Sequence, residues 1–178
     1  MAVLTETQRE LPTGTWALDP VHSTIGFELP YMAGIFRGTF KDAEARLADG
    51  GLKGSARVAS VDVKDENLAA HLQSPEFFDV ERHPELTFSS NSIERTGDEL
   101  KVDGEITIRG TTKPVELVGK IAGPITDGYG RERVNLTLET TVDRTDFGLN
   151  WNMPLPNGEP ALRDEVKLVS ELYFVEEA

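Results

Sequence analysis

The sequence predicts an all-β fold: an extended antiparallel β-barrel of about eight strands with a short helical insertion near residues 65–80. Three observations carry this expectation. Apolar and polar residues alternate with period two along most of the chain, turn dipeptides separate the alternating runs, and no amphipathic helix longer than about two turns is present to cover an open sheet. A sheet with one apolar face needs a second surface, so it either splits into a sandwich or closes on itself. Closure is favoured because it also removes the edges, and about eight strands enclose room for side chains or for one small ligand.

The first dozen residues are polar and aperiodic, so residues 1–13 are expected to form a flexible tail and residues 14–178 a single domain. Strand after strand follows from Thr15. Ile25, Phe27 and Leu29 share one parity, opposed by Thr24, Gly26 and Glu28, which marks a half-buried strand. Phe36 to Phe40 and Ala43 to Ala48 continue the pattern up to the turn signal Asp49-Gly50-Gly51, and Ser55 to Val63 runs into the insertion. Leu86 and Phe88 open the next strand. Leu100, Val102, Ile106 and Ile108 then alternate with charged and hydroxyl residues, broken only by Gly104. Val115, Leu117 and Ile121 mark another strand, Val134, Leu136, Leu138 and Val142 the next, and Val166, Leu168, Leu172 and Phe174 the last. Gly97-Asp98, Gly110-Thr111 and Asp127-Gly128 fall at hairpin positions. Glycines inside strands, namely Gly26, Gly38, Gly104 and Gly119, fit a strongly curved sheet. Met153 to Pro160 reads as a mobile loop before the last strand.

Leu68 to Phe88 breaks the alternation. Leu68, His71 and Leu72 lie at helical spacing after Asp65 or Asn67 as a cap, and Ser74-Pro75 reads as a second helix start. Phe77 and Phe78 follow directly. Two adjacent phenylalanines are out of place on a surface connection, so this segment is expected to fold over an apolar opening and plug it.

At 178 residues the chain buries a core without staples, and it contains no cysteine. The net charge of −13, from 31 acidic against 18 basic residues, repels phosphate backbones and anionic membranes, so nucleic acid is excluded as a partner. No window approaches the roughly 18 consecutive apolar residues of a membrane span. The start MAVLTETQRE has no basic segment followed by an apolar run, and the expected location is cytoplasmic.

Catalytic signatures are missing: there is no G-x-S-x-G, no H-E-x-x-H and no phosphate-cradling loop ahead of a helix. His22, His71 and His83, with Glu76, Asp79 or Glu81, supply enough donors for zinc, so a metal-dependent hydrolase is one alternative reading. In the plainer reading His71 packs along its helix, His83 orders the turn before Pro84, and His22 hydrogen-bonds at a strand start. In a third, His22 or His71 meets the polar end of an apolar ligand. Phe27, Phe36, Phe40, Phe77, Phe78, Phe88, Phe147, Trp16 and Trp151 are core candidates one by one. Together with interspersed glycines and alanines they also fit the walls of an elongated cavity. A filled barrel acting only as an interaction module, through the exposed edge of its terminal strand, is the remaining alternative.

The blocks HSTIGFELPYMAGIFRGTF (22–40), HLQSPEFFDVERHPELTF (71–88), GEITIRGTTKPVEL (104–117), DRTDFGLNW (143–151) and DEVKLVSELYFV (164–175) resemble the successive signatures of the YceI-like family. The resemblance runs from about Thr15 to the end. It implies a lipocalin-like barrel that holds a long apolar molecule, a polyisoprenoid, isoprenoid quinone or fatty-acyl-type chain, for transport or storage and without enzymatic activity. Many relatives begin with an export signal, and from the start MAVLTETQRE none is expected here. The family positions fall on His22, Phe27, Phe36, Phe40, His71, Phe77, Phe78, Phe147 and Gly148. With the inward strand residues, the expected ligand-binding set is His22, Ile25, Phe27, Phe36, Phe40, His71, Phe77, Phe78, Phe88, Ile106, Leu136, Phe147 and Trp151. No cofactor or resident metal is expected, and the partner is a long-chain isoprenoid or other lipid. A hairpin edge is a surface for pairing two copies, so a homodimer is one assembly the sequence allows. Burying about twenty carbons at roughly 0.8 kcal/mol per methylene gives about 16 kcal/mol gross, against an association cost of about 4–15 kcal/mol. An apolar tail alone is then sufficient to hold such a ligand.

Overall fold

The structure, a computed structural model, describes residues 11–177. Eleven strands form one antiparallel sheet: β1 (Thr15–Leu18), β2 (Thr24–Tyr31), β3 (Gly34–Phe40), β4 (Ala43–Ala48), β5 (Gly51–Arg57), β6 (Val61–Asp62), β7 (Glu85–Thr96), β8 (Glu99–Ile108), β9 (Thr111–Thr126), β10 (Glu132–Asp143) and β11 (Glu165–Glu176). One helix, α1 (Glu66–Gln73), separates β6 from β7, and 3₁₀ turns occupy Val58–Ser60 and Arg144–Phe147. Eight strands close the barrel in the order β1-β4-β5-β7-β8-β9-β10-β11, with β1 returning to β11 so that Trp16 faces Glu176 and Leu18 faces Phe174. The expected closure therefore occurs. Most of the expected tail, residues 1–10, lies outside the described residues, whereas Leu11 packs against the barrel core and Thr13 accepts the Trp16 indole N–H.

β11 is long enough to carry two neighbours in succession on one edge. Its C-terminal end pairs with β1 and its N-terminal half with β2, where Glu28 opposes Lys167 and Thr24 opposes Glu171. The link between them, Asp19 to Ser23, holds Pro20, which lacks the N–H a continuous ladder would need. β2 goes on to pair with β3, and β3 with β6, so an extra hairpin widens one end of the barrel. The sequence reads Ser55 to Val63 as one strand, but the 3₁₀ turn splits it. Ser60 Oγ donates to Arg57 O and accepts from Asp42 N–H, which turns the chain away from β7 and onto β3. Because β11 has partners along both edges, the exposed terminal edge expected for an interaction module is absent.

The turns are mostly where the sequence places them. In the β8–β9 hairpin the two central residues are Arg109 (φ +49) and Gly110 (φ +75), one position earlier than Gly110-Thr111, because both need the left-handed region of a tight two-residue turn. Met153 to Pro160 is a small hairpin, with Leu155 N–H donating to Glu159 O and Pro154 bridging Pro160. Interior glycines are sites of close approach. A Cβ on Gly119 would lie 1.6 Å from Thr137 O, and one on Gly26 would lie 2.5 Å from Gly38 O. Both sit where neighbouring strands curve together.

The interior has two parts. Trp16, Leu47, Leu100, Val102, Ile121, Val134, Leu136 and Phe174 fill the end nearest the chain termini, each between 0% and 3% exposed. This lower core is packed solid. Leu136, expected to line a lumen, belongs to it at 0% exposure and touches no void.

An ion-pair network braces the lower rim. Arg133 of β10 donates Nη1 to Asp19 (2.8 Å) and Nε to Asp127 (2.7 Å), and His22 Nδ1 lies 2.8 Å from Asp19. Burial pushes the Asp19 carboxyl up, but hydrogen bonds from His22, Arg133 and the Val21 N–H outweigh it and hold the group at about 2, below its ordinary 3.8. Asp127 is lowered as well, chiefly by Arg133. A depressed folded pKa contributes stability that is complete above pH ~4 and lost as pH falls toward ~2. The melting temperature is therefore expected to drop between pH 4 and pH 2 less steeply in Arg133→Gln than in the unchanged protein. Parallel melts over that range would remove the network from the account.

Candidate ligand-binding cavity

The wide half of the barrel is hollow. A cavity of about 370 Å³ is enclosed by β2 (Ile25, Phe27, Leu29), β3 (Phe36, Phe40), β7 (Leu86, Phe88), β8 (Ile106, Ile108) and β11 (Val166, Leu168), with further walls from α1 and from the segment after β10. Inward-facing Ile25, Leu86, Phe88, Ile106, Val166 and Leu168 are only half-buried, whereas equivalent inward residues of the lower core have almost no exposure. They face empty space instead of neighbours. The few polar side chains in the lining are Ser55, Thr87, Ser170, His71 and Arg144, with the hydroxyl of Tyr31 and the indole N–H of Trp151. A concave, almost wholly apolar space of this size falls within the ~300–1,000 Å³ of small-molecule pockets.

Glycine niches seat the aromatic rings. The Phe27 ring lies where a Gly38 Cβ would stand, 2.4 Å from its Cζ, and the Phe88 ring covers Gly104 in the same way at 2.7 Å. Phe27 in turn meets Phe36 at 6.0 Å, Phe40 at 5.9 Å and Phe78 at 6.4 Å between ring centroids. The two neighbouring phenylalanines of the insertion divide their work. Phe78 drops onto Phe27 and Phe40, and Phe77 packs beside His71 and Trp151. Both are buried, so the segment closes the top of the cavity as a lid.

Local chemistry explains the lid. Asp65 caps α1, its carboxylate accepting from the Asn67 and Leu68 N–H groups, so of the two expected caps it is Asp65 that acts. Ser74-Pro75 does not start a second helix. Ser74 Oγ donates back to His71 O, while Ser74 O accepts from Phe77 and Asp79, and Asp79 adopts φ +55, which makes a compact turn. Arg109 then ties this turn to the barrel by donating to Pro75 O and to Gly148 O. His83 sits against Gly110, leaving 2.6 Å between its Cε1 and a Cβ there. Arg109→Ala is expected to leave the barrel intact and to speed amide hydrogen exchange at Phe77 and Phe78 at least several-fold. Unchanged exchange at those amides would show that Arg109 is no latch.

Tyr31, Phe36, Leu68, His71 and Trp151 line the cavity and keep solvent exposure, which marks the mouth between the β2–β3 hairpin, α1 and the segment after β10. His71 is wedged there between Phe77 and Trp151, each at 4.9 Å, with Nε2 2.6 Å from Glu76. Exposed Met32, Ile35 and Met153 extend the apolar rim. Arg144 is the buried cation of this end, 5% exposed. It donates Nε to Arg163 O (2.9 Å), Nη1 to Leu149 O (2.6 Å) and Trp151 O (2.8 Å), and Nη2 to Asp164 (3.3 Å). Burial lowers its pKa, with Asp164 and Asp143 opposing. It winds the chain between β10 and β11 into the cavity wall.

Of the expected ligand-binding set, Ile25, Phe27, Phe36, Phe40, His71, Phe77, Phe78, Phe88, Ile106, Phe147 and Trp151 come together around the cavity. His22 does not. It lies outside the barrel against Asp19 and Tyr173, in the β1–β2 link and on the outward parity of Thr24 and Glu28. Leu136 is in the lower core. Arg144, Leu149 and Leu162 were missed, since they lie in an aperiodic stretch where no repeat marks the buried face; the signal for the first two was their inclusion in the DRTDFGLNW block, and Leu162 had none. His22, His71 and His83 contact different neighbours at separate places, and among the described residues no three His, Cys, Asp or Glu side chains are grouped to hold a metal. No helix among the described residues is long and apolar enough to cross a membrane.

Known proteins share this architecture. A YceI-like domain profile matches residues 16–174. Protein YceI of Escherichia coli O157:H7 is 32% identical over 118 residues, covering 66% of this chain and 62% of that protein. Protein YceI of Salmonella newport is 31% identical over 140 residues, covering 74% and 73%. The chain thus spans less than two thirds of the first relative's length. Among solved structures, Burkholderia cenocepacia BcnA superposes with a TM-score of 0.72 at 20% identity, over 88% of this chain and 98% of that one. The Campylobacter jejuni YCEI protein gives 0.71 at 24% identity, over 96% and 100%. A polyisoprenoid binding domain from Saccharophagus degradans gives 0.70 at 11% identity, over 91% and 98%. At these identities the structural likeness is one of fold. Since the profile match runs from the first strand of the barrel to the last, the chain belongs to the YceI-like domain family.

Proposed function

We propose that this protein is a non-catalytic carrier or store for an apolar chain, held in the hollow half of the barrel with its polar end at the mouth beside His71. The observation that carries the reading is the contrast inside one barrel: a solid lower half and an empty, aromatic-lined upper half beneath a lid. The name of the Saccharophagus domain, a polyisoprenoid binding protein, supports an isoprenoid as one ligand class. Binding is favoured over hydrolysis because the three histidines stand apart, and His71 is engaged by Glu76 and two rings.

Energetics refine the expectation. At about 30 Å³ for a water-sized group, the cavity of about 370 Å³ has room for at least a dozen chain carbons. At roughly 0.8 kcal/mol each, they contribute about 10 kcal/mol gross, against an association cost of about 4–15 kcal/mol. Contacts at the mouth add to affinity and set selectivity. Native mass spectrometry of the purified protein, followed by organic extraction, is expected to reveal a bound species that partitions into solvent. Protein that stays at its bare mass after incubation with isoprenoid alcohols and fatty acids would overturn the reading. The same spectrum tests the homodimer that the sequence allows.

A further inference from the structure

We propose that the lower core is a length stop: it limits the buried part of a ligand to a medium-length chain, and any longer chain leaves its remainder outside the mouth. This rests on the carrier reading and deepens it by naming the ligand's size class. Leu52, Leu138 and Leu172 are members of the solid lower core and at the same time line the cavity, so they are its floor. Phe88 lies across Gly104 just above them, and Ala45 faces the same level from β4. Packed with the three leucines are Trp16, Phe174 and Leu136, the last the cross-strand partner of Leu172, all between 0% and 2% exposed, where no methylene enters without unpacking a close-packed core. Curvature and strand number make a long tube possible, but the large side chains at one end shorten the usable part.

The test is a series of straight-chain saturated carboxylates from about 8 to 20 carbons, each displacing a fluorescent fatty-acid probe from the full chain. Affinity is expected to rise about fourfold per added methylene and then to flatten within the series, at the length where the buried tail reaches Leu52, Leu138 and Leu172. Leu138→Ala moves the break to chains about two carbons longer, the room a Leu-to-Ala truncation vacates. Ala45→Leu moves it to shorter chains, and this variant fills space without removing any core contact. Two results would overturn the length stop while leaving the carrier reading intact: affinity that climbs unbroken through the series, or a break that stays in place in Ala45→Leu. Failure of every chain length to displace the probe, or of the probe itself to bind, would instead overturn the carrier reading.

Discussion

Ile106→Trp is expected to abolish binding of an apolar chain while shifting the melting temperature by no more than a few degrees. Ile106 lies beside Phe88 on the adjoining strand and faces the cavity between its floor and its lid. Overpacking a close-packed core costs about 1–3 kcal/mol, but here the indole meets empty space and its added apolar surface is buried. The destabilisation therefore stays small. The ligand has no such latitude, since an indole across the tube separates the mouth from the deeper half of the cavity. Losing about five methylenes of contact at roughly 0.8 kcal/mol each weakens binding about a thousandfold. Titration of a fluorescent fatty acid beside a thermal melt reads both effects. Unimpaired binding in a folded variant would remove the cavity from the functional account.

Arg144→Ala carries the largest expected loss of stability. The guanidinium satisfies the carbonyls of Leu149, Trp151 and Arg163 at once, and its removal leaves those acceptors without it in a wall where water has little access. Leaving buried acceptors unsatisfied costs about 1–3 kcal/mol each, and about 2–4 °C per kcal/mol at this chain length places the drop near 10 °C. Lysine is not expected to rescue it, because a point charge cannot reach three carbonyls arranged around a planar fork. Calorimetry on both variants checks the claim. A melting temperature within 2 °C of the unchanged protein would contradict it. Trp151, held through its carbonyl, is also expected to loosen, and with it the ring contact to His71 at the mouth.

Much of the site was legible because strand parity is local. The alternation that set Ile25, Phe27 and Leu29 against Thr24, Gly26 and Glu28 places the first three on the cavity wall. Phe77 and Phe78 stood out because two adjacent aromatics fit no surface connection, and both are buried in the lid. His22 entered the set through the family resemblance and not through parity: it shares the outward side of Thr24 and Glu28, and it meets a carboxylate and a tyrosine ring outside the barrel. Arg144 was illegible for a different reason. Its partners, Leu149 and Trp151 on one side and Arg163 and Asp164 on the other, lie apart along the 21-residue connection, and nothing in the spacing of an aperiodic loop marks which arginine is drawn inward.

By itself the sequence determined the architecture: an antiparallel barrel with one interruption that folds over an opening. Side-chain alternation, turn residues and helix caps act between neighbours a few positions apart, so one chain read in order contains them. Whether the barrel holds a space was decided only by the tertiary structure. Leu136 and Ile106 have the same inward parity on their strands, but one is sealed under Trp16 and Phe174 and the other borders a void. That difference comes from volumes summed across strands far apart in sequence, and from an extra hairpin that widens one end of the sheet.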